Sequence, residues 1–146
     1  MREDRFKIDI IPAVLYGASS DNLYLFVHGK CGCKEEGKAL AEIVCSKGWQ
    51  VLAIDLPEHG DRQGGEPGFD PWHAVPELRC VLAYVRQRWG HIALRVTSIG
   101  AWFSMQAFAG EPFEKALFVS PVLDMEKLIR NMMLWAGVDE KRLQAE

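Results

Sequence analysis

Apolar residues in this sequence change their period repeatedly, from two to about 3.6 and back, and few architectures accept a chain written that way. Phe6, Ile8 and Ile10 alternate with Lys7 and Asp9 as in a half-buried strand, and Ala13-Val14-Leu15-Tyr16 after Pro12 reads as a second strand. The turn signals from Gly17 to Asn22 predict a hairpin-like connection. Leu23-Tyr24-Leu25-Phe26-Val27 is a continuous apolar run, the pattern of a strand covered on both faces inside a mostly parallel sheet. Between Glu35 and Lys47 the positions Ala39, Leu40, Ile43 and Val44 recur at helical spacing, and Gly48 follows where a left-handed C-terminal cap belongs. Val51 to Ile54 forms the next strand. Val75, Leu78, Leu82, Val85 and Trp89 then step by three and four through a long helix stopped by Gly90. Strand 92–96, helix 100–109, strand 115–119 and helix 124–135 continue the alternation. This predicts one α/β domain over residues 1–146, a mostly parallel sheet with helices on both faces and no internal linker.

Charge and cysteine content narrow the function. The formal charge of −3 arises from 20 acidic and 17 basic residues that are interspersed, so no basic face is offered to nucleic acid. The charged start, Met1 to Lys7, has no apolar stretch long enough for a signal peptide or a membrane span, which predicts a cytoplasmic protein without a membrane partner. In that compartment Cys31, Cys33, Cys45 and Cys80 are expected as free thiols. Leu56 to Phe69, rich in Gly, Pro and charge, is expected to be a surface loop.

The chemistry centres on Val96-Thr97-Ser98-Ile99-Gly100-Ala101, where a buried strand passes into an apolar helix and Ser98 occupies the turn. A turn of that kind holds a serine hydroxyl clear of its neighbours, as a nucleophile elbow does. Serine is also a preferred helix N-cap, and that role alone is the alternative. Acyl transfer further needs backbone donors for the developing oxyanion. The N–H of Ile99, after the serine, and that of Lys30, in the loop following His28-Gly29, are the expected pair.

Together these segments resemble the α/β-hydrolase family over essentially the whole chain. The matching residues are Leu25-Phe26-Val27-His28-Gly29, then Ala53-Ile54-Asp55-Leu56-Pro57-Glu58-His59-Gly60-Asp61-Arg62, then Ser98-Ile99-Gly100-Ala101. Val96 stands where the family prefers glycine. The resemblance implies strand order 1-2-4-3-5-6, His28, Gly29 and Gly100 as residues shaping the site, and a catalytic histidine and acid lying further along than this sequence extends. It therefore suggests the N-terminal portion of a serine hydrolase acting on small esters or related acyl compounds, with no cofactor. A chain of that extent is expected to have little activity alone and to self-associate through the sheet edge at 115–119. The alternative is a non-catalytic module that keeps the pocket for binding.

Other candidates are weaker. His59, in the long loop, is a possible substitute base; His91 starts the strand that ends at Ser98 and so stands roughly 20 Å from it. Asp124 follows strand 115–119 at a position where some family members carry their acid, and equally suits a helix N-cap. Cys31-Gly32-Cys33 lacks the spacing and second pair of a structural zinc site, so no metal is expected.

Overall fold

The computed structural model describes residues 1–65 and 68–119. Six strands, β1 (Glu3–Ile8), β2 (Ile11–Tyr16), β3 (Asn22–Val27), β4 (Gln50–Ile54), β5 (His91–Thr97) and β6 (Lys115–Val119), form one sheet in the order β1-β2-β4-β3-β5-β6. β3, β4, β5 and β6 pair in parallel, and the β1–β2 hairpin joins antiparallel to β4. The mixed sheet and its order agree with the sequence reading. The connection after Tyr16 does not: β2 and β3 are separated by β4, so residues 17–21 cross over a strand rather than close a hairpin. The hairpin turn lies earlier, at Asp9-Ile10, where Asp9 takes φ 57° and Ile10 is left exposed at the tip.

Among the described residues three helices cover the sheet: α1 (Gly37–Val44), α2 (Pro71–Arg86) and α3 (Ile99–Ala107). Side chains along a strand alternate faces, and β3 shows what that does to a continuous apolar run. Leu23, Leu25 and Val27 join the core beneath α2 and α3, whereas Tyr24 and Phe26 join the second core beneath α1. Val75, Leu78, Leu82, Val85 and Trp89 are all buried, as their spacing predicts. For α1 the expected stripe is rotated. Gly37, Ala41 and Val44 face the sheet, while Ala39 and Ile43 face solvent, because single-turn 3-10 segments at each end reset the phase of the helix. Gly48 caps the last turn in the left-handed region as expected, at φ 87°.

The parallel strands all end on the same side, so the loops after β3, β4 and β5 emerge together there. Open α/β sheets bind ligands at that end. The predicted helix 124–135 lies outside the described residues.

Candidate active site

Ser98 occupies the turn between β5 and α3 with φ 53° and ψ −125°, a conformation that an L-residue adopts at a cost. Three backbone hydrogen bonds hold it there. Its N–H donates to the Val119 carbonyl (2.9 Å), and its carbonyl accepts from the N–H groups of Ala101 (3.0 Å) and Trp102 (3.4 Å). The serine side chain makes no capping hydrogen bond, so the helix-cap alternative is not how this hydroxyl is used. It stands half-buried at the carboxyl end of β5.

Two glycines let the backbone close in around it. A Cβ on Gly100 would lie 2.1 Å from the His28 carbonyl oxygen, so only glycine lets α3 start against the end of β3. A Cβ on Gly29 would come within 3.0 Å of Ser98 Cβ, so the loop after β3 passes directly over the serine. Val96 is fully buried and pairs with Val27 and Phe118; the close approach that crowds this turn falls on Gly100. The Ile99 N–H opens α3 beside the serine. Lys30 follows Gly29 in the loop, and among the described residues its N–H has no acceptor.

The loop carrying Lys30 is tied to the loop after β4 by buried polar contacts. His28 is fully buried; its Nδ1 pairs with the Gly29 carbonyl (2.6 Å) and its Nε2 accepts the Leu56 N–H (3.0 Å). Burial lowers its pKa to about 4. His59 uses both ring nitrogens as well: Nδ1 pairs with the Pro57 carbonyl (2.8 Å) and Nε2 accepts the Cys31 N–H (3.0 Å). With both ring nitrogens engaged in this way, His59 has no lone pair free for a serine proton. The long loop is not merely superficial either, since Leu56, His59 and Arg62 are buried. Phe69 packs on His59 (4.4 Å between ring centroids) and on Phe103 of α3 (5.4 Å), which brings the far end of that loop down onto the core.

A cluster absent from the sequence reading completes the support. Lys34 is 1% exposed, and its Nζ donates to Asp55 Oδ2 (2.7 Å) and Asp61 Oδ2 (2.8 Å). Burial by itself would lower the Lys34 pKa, but the bonds to Asp55 and Asp61 prevail and raise it. The same contact holds the Asp61 carboxyl below its ordinary range. Asp55, also buried, accepts the backbone N–H groups of Lys34 (2.9 Å) and Asp61 (3.1 Å). Arg62 grips Glu77 of α2 through two bonds of 2.6 and 2.7 Å and donates to the Asp55 carbonyl. A carboxylate at the end of a buried apolar strand demands a cation, and Asp55 gave that signal; which cation meets it depends on the neighbouring loop.

The remaining histidines lie elsewhere. His91 sits at the opposite end of β5 from Ser98, and its hydrogen bond to Glu114 (2.7 Å) raises its pKa. His73 pairs with Asp70, the N-cap of α2. Asp124 lies outside the described residues. All four cysteines are free, and among the described residues no three His, Cys, Asp or Glu side chains converge as a metal site requires. No described helix is long and apolar enough to cross a membrane.

No protein-family model and no curated protein matches this sequence. Solved structures do match. An esterase from Pyrococcus furiosus superposes with a TM-score of 0.72 at 17% identity, covering 95% of this chain and 56% of its own. An epoxide hydrolase from Vigna radiata gives 0.70 at 18% identity over 93% of this chain and 47% of its own. A Thermus thermophilus protein gives 0.67 at 22% identity, with coverages of 92% and 66%. The chain thus spans about half to two thirds of the length of these structures. What it shares with them is an overall architecture rather than a sequence, and by that architecture the chain has the α/β-hydrolase fold.

Proposed function

We propose that this chain carries the nucleophile half of a serine hydrolase acting on small esters or related acyl compounds. The observation that carries the reading is Ser98 itself, held in a strained turn with a hydroxyl spared from capping and with Gly29 packed against it. In the proposed reaction Ser98 Oγ attacks the acyl carbon while its proton passes to a base. The carbonyl oxygen, now negative, faces the N–H groups of Ile99 and Lys30. Collapse expels the alcohol, which takes the proton back from the base, and water then releases the acid by the same steps.

The base is the open position. Among the described residues His28 and His59 are committed through both nitrogens, and His73 and His91 are engaged elsewhere. That observation favours a second reading, a non-catalytic hydrolase-fold module that binds a ligand or partner at the same end of the sheet. Under the first reading, a serine lacking its base keeps only the roughly 10³–10⁴-fold acceleration that oxyanion donors and binding supply. A fluorophosphonate probe separates the two. The enzyme reading expects slow labelling of Ser98, faster with added imidazole and absent in Ser98→Ala. No adduct on the folded protein, with or without imidazole, rejects it in favour of the binding module.

We also infer self-association through β6. This strand forms an edge of the sheet among the described residues and exposes Leu117 and Phe118. Sedimentation should show mass rising with concentration, and Leu117→Lys should suppress it; a monomer at all concentrations rejects the inference.

A further inference from the structure

The two buried histidines are arranged reciprocally. β3 and β4 are parallel neighbours, so the loops that follow them, residues 28–34 and 55–62, leave the sheet side by side. His28 belongs to the first loop and accepts an N–H from the second, at Leu56; His59 belongs to the second and accepts an N–H from the first, at Cys31. Each ring turns its other nitrogen to a carbonyl of its own loop, Gly29 for His28 and Pro57 for His59. The rings lie 5.0 Å apart. An Nε2 that faces a backbone donor must carry a lone pair, and an Nδ1 that faces a carbonyl must carry the proton. This arrangement calls for the Nδ1–H tautomer at both rings.

Their targets are consecutive peptide groups. The Gly29 carbonyl, gripped by His28 and also by the Gly32 N–H (3.1 Å), shares its peptide plane with the Lys30 N–H. In a planar trans peptide the two point in opposite directions, so holding the carbonyl aims the N–H. The next peptide, Lys30–Cys31, is held through the Cys31 N–H by His59. Cys31 has φ 66°, an uncommon conformation for a residue with a side chain, so this peptide needs an external hold.

We propose that His59 is a positioning residue of the oxyanion site: with His28 it forms a clasp that fixes the two peptides flanking Lys30 and so sets the direction of the Lys30 N–H. The catalytic consequence rests on the serine-hydrolase reading above; the clasp itself does not.

The test compares His59→Phe, which keeps the ring against Phe69 but loses both polar contacts, with His59→Gln, whose amide oxygen can still accept from Cys31. Amide exchange of Cys31 is the first readout, with the Leu56 N–H, which donates to His28 Nε2, as internal reference. His59→Phe should speed Cys31 exchange about tenfold relative to Leu56, and His59→Gln should largely restore it. Equal exchange at Cys31 in all three proteins overturns the clasp. If His59→Phe does not fold, nitrogen shifts of the unmodified protein decide: neutral Nδ1–H tautomers at both histidines support the clasp, and an Nε2–H His59 overturns it. The second readout is fluorophosphonate labelling, expected to slow about 10²-fold in His59→Phe and to recover in His59→Gln. Labelling unchanged in His59→Phe overturns the positioning role, while an unmodified protein that takes no label rejects the hydrolase reading and leaves the clasp to be judged by exchange and tautomer.

Discussion

β3 and β6 are written alike and end up in opposite surroundings. Leu23 to Val27 and Ala116 to Val119 are both short apolar runs, and both form parallel strands. Yet every residue of the first run is buried, whereas Leu117 is 53% and Phe118 40% exposed. The difference comes from position. β3 has strands on both sides and helices on both faces, while β6 pairs with β5 alone among the described strands. An apolar run therefore identifies a strand without saying how much of it will be covered. The carboxyl end of β3 adds a further layer of restraint, for there His28, His59, Lys34 and Gly100 bind the loops to one another and to α3.

Four measurements would break or sharpen that contrast. Gly100→Ala forces a Cβ against the His28 carbonyl and should destabilise the protein by more than about 4 kcal/mol in urea unfolding. A loss under about 1 kcal/mol would mean that α3 can back away from β3 and that the turn is not pinned. Lys34→Met keeps the volume but leaves Asp55 buried without its ammonium, and should cost about 4 kcal/mol. Unfolding at unchanged midpoint would show that Asp55 is satisfied by its backbone donors alone.

Acid should loosen the same region. The folded state keeps His28 neutral down to about pH 4, while the unfolded chain takes up that proton near its ordinary value of 6.5. Between those limits the unfolded state binds more protons. Stability is therefore full above about pH 6.5 and falls as pH drops towards 4, by about 3 kcal/mol from this group. Urea midpoints measured from pH 7 to 4.5 should decline accordingly, and a flat profile would show that His28 is not held neutral. The last measurement sets the two strands side by side: Leu25→Ala should cost about 3 kcal/mol, and Leu117→Ala no more than about 0.5. Similar losses would mean that β6 is covered in solution, as self-association would achieve.

Much of the architecture is legible in the sequence. The change of period gave the strands and helices, Gly48 gave a helix end, and the strand-to-helix switch placed Ser98 in its turn, whereas α2 ends at Arg86, before the expected stop at Gly90. The sequence pattern points Ala39 and Ile43 inward and closes a hairpin over residues 17–22, and each departure from it has its own cause. A 3-10 turn rotates α1, and β4 inserts between β2 and β3.

By itself, then, the sequence determined which segments are strands or helices, their order, and the place of the serine, since each rests on residues a few positions apart that share a backbone geometry. Only the tertiary structure decided that Lys34 is buried between Asp55 and Asp61 and that His28 and His59 hold each other's loops. Those outcomes join residues some 21 to 28 positions apart. They depend on which strands lie side by side, and no local pattern of side chains encodes the hydrogen-bond geometry that results.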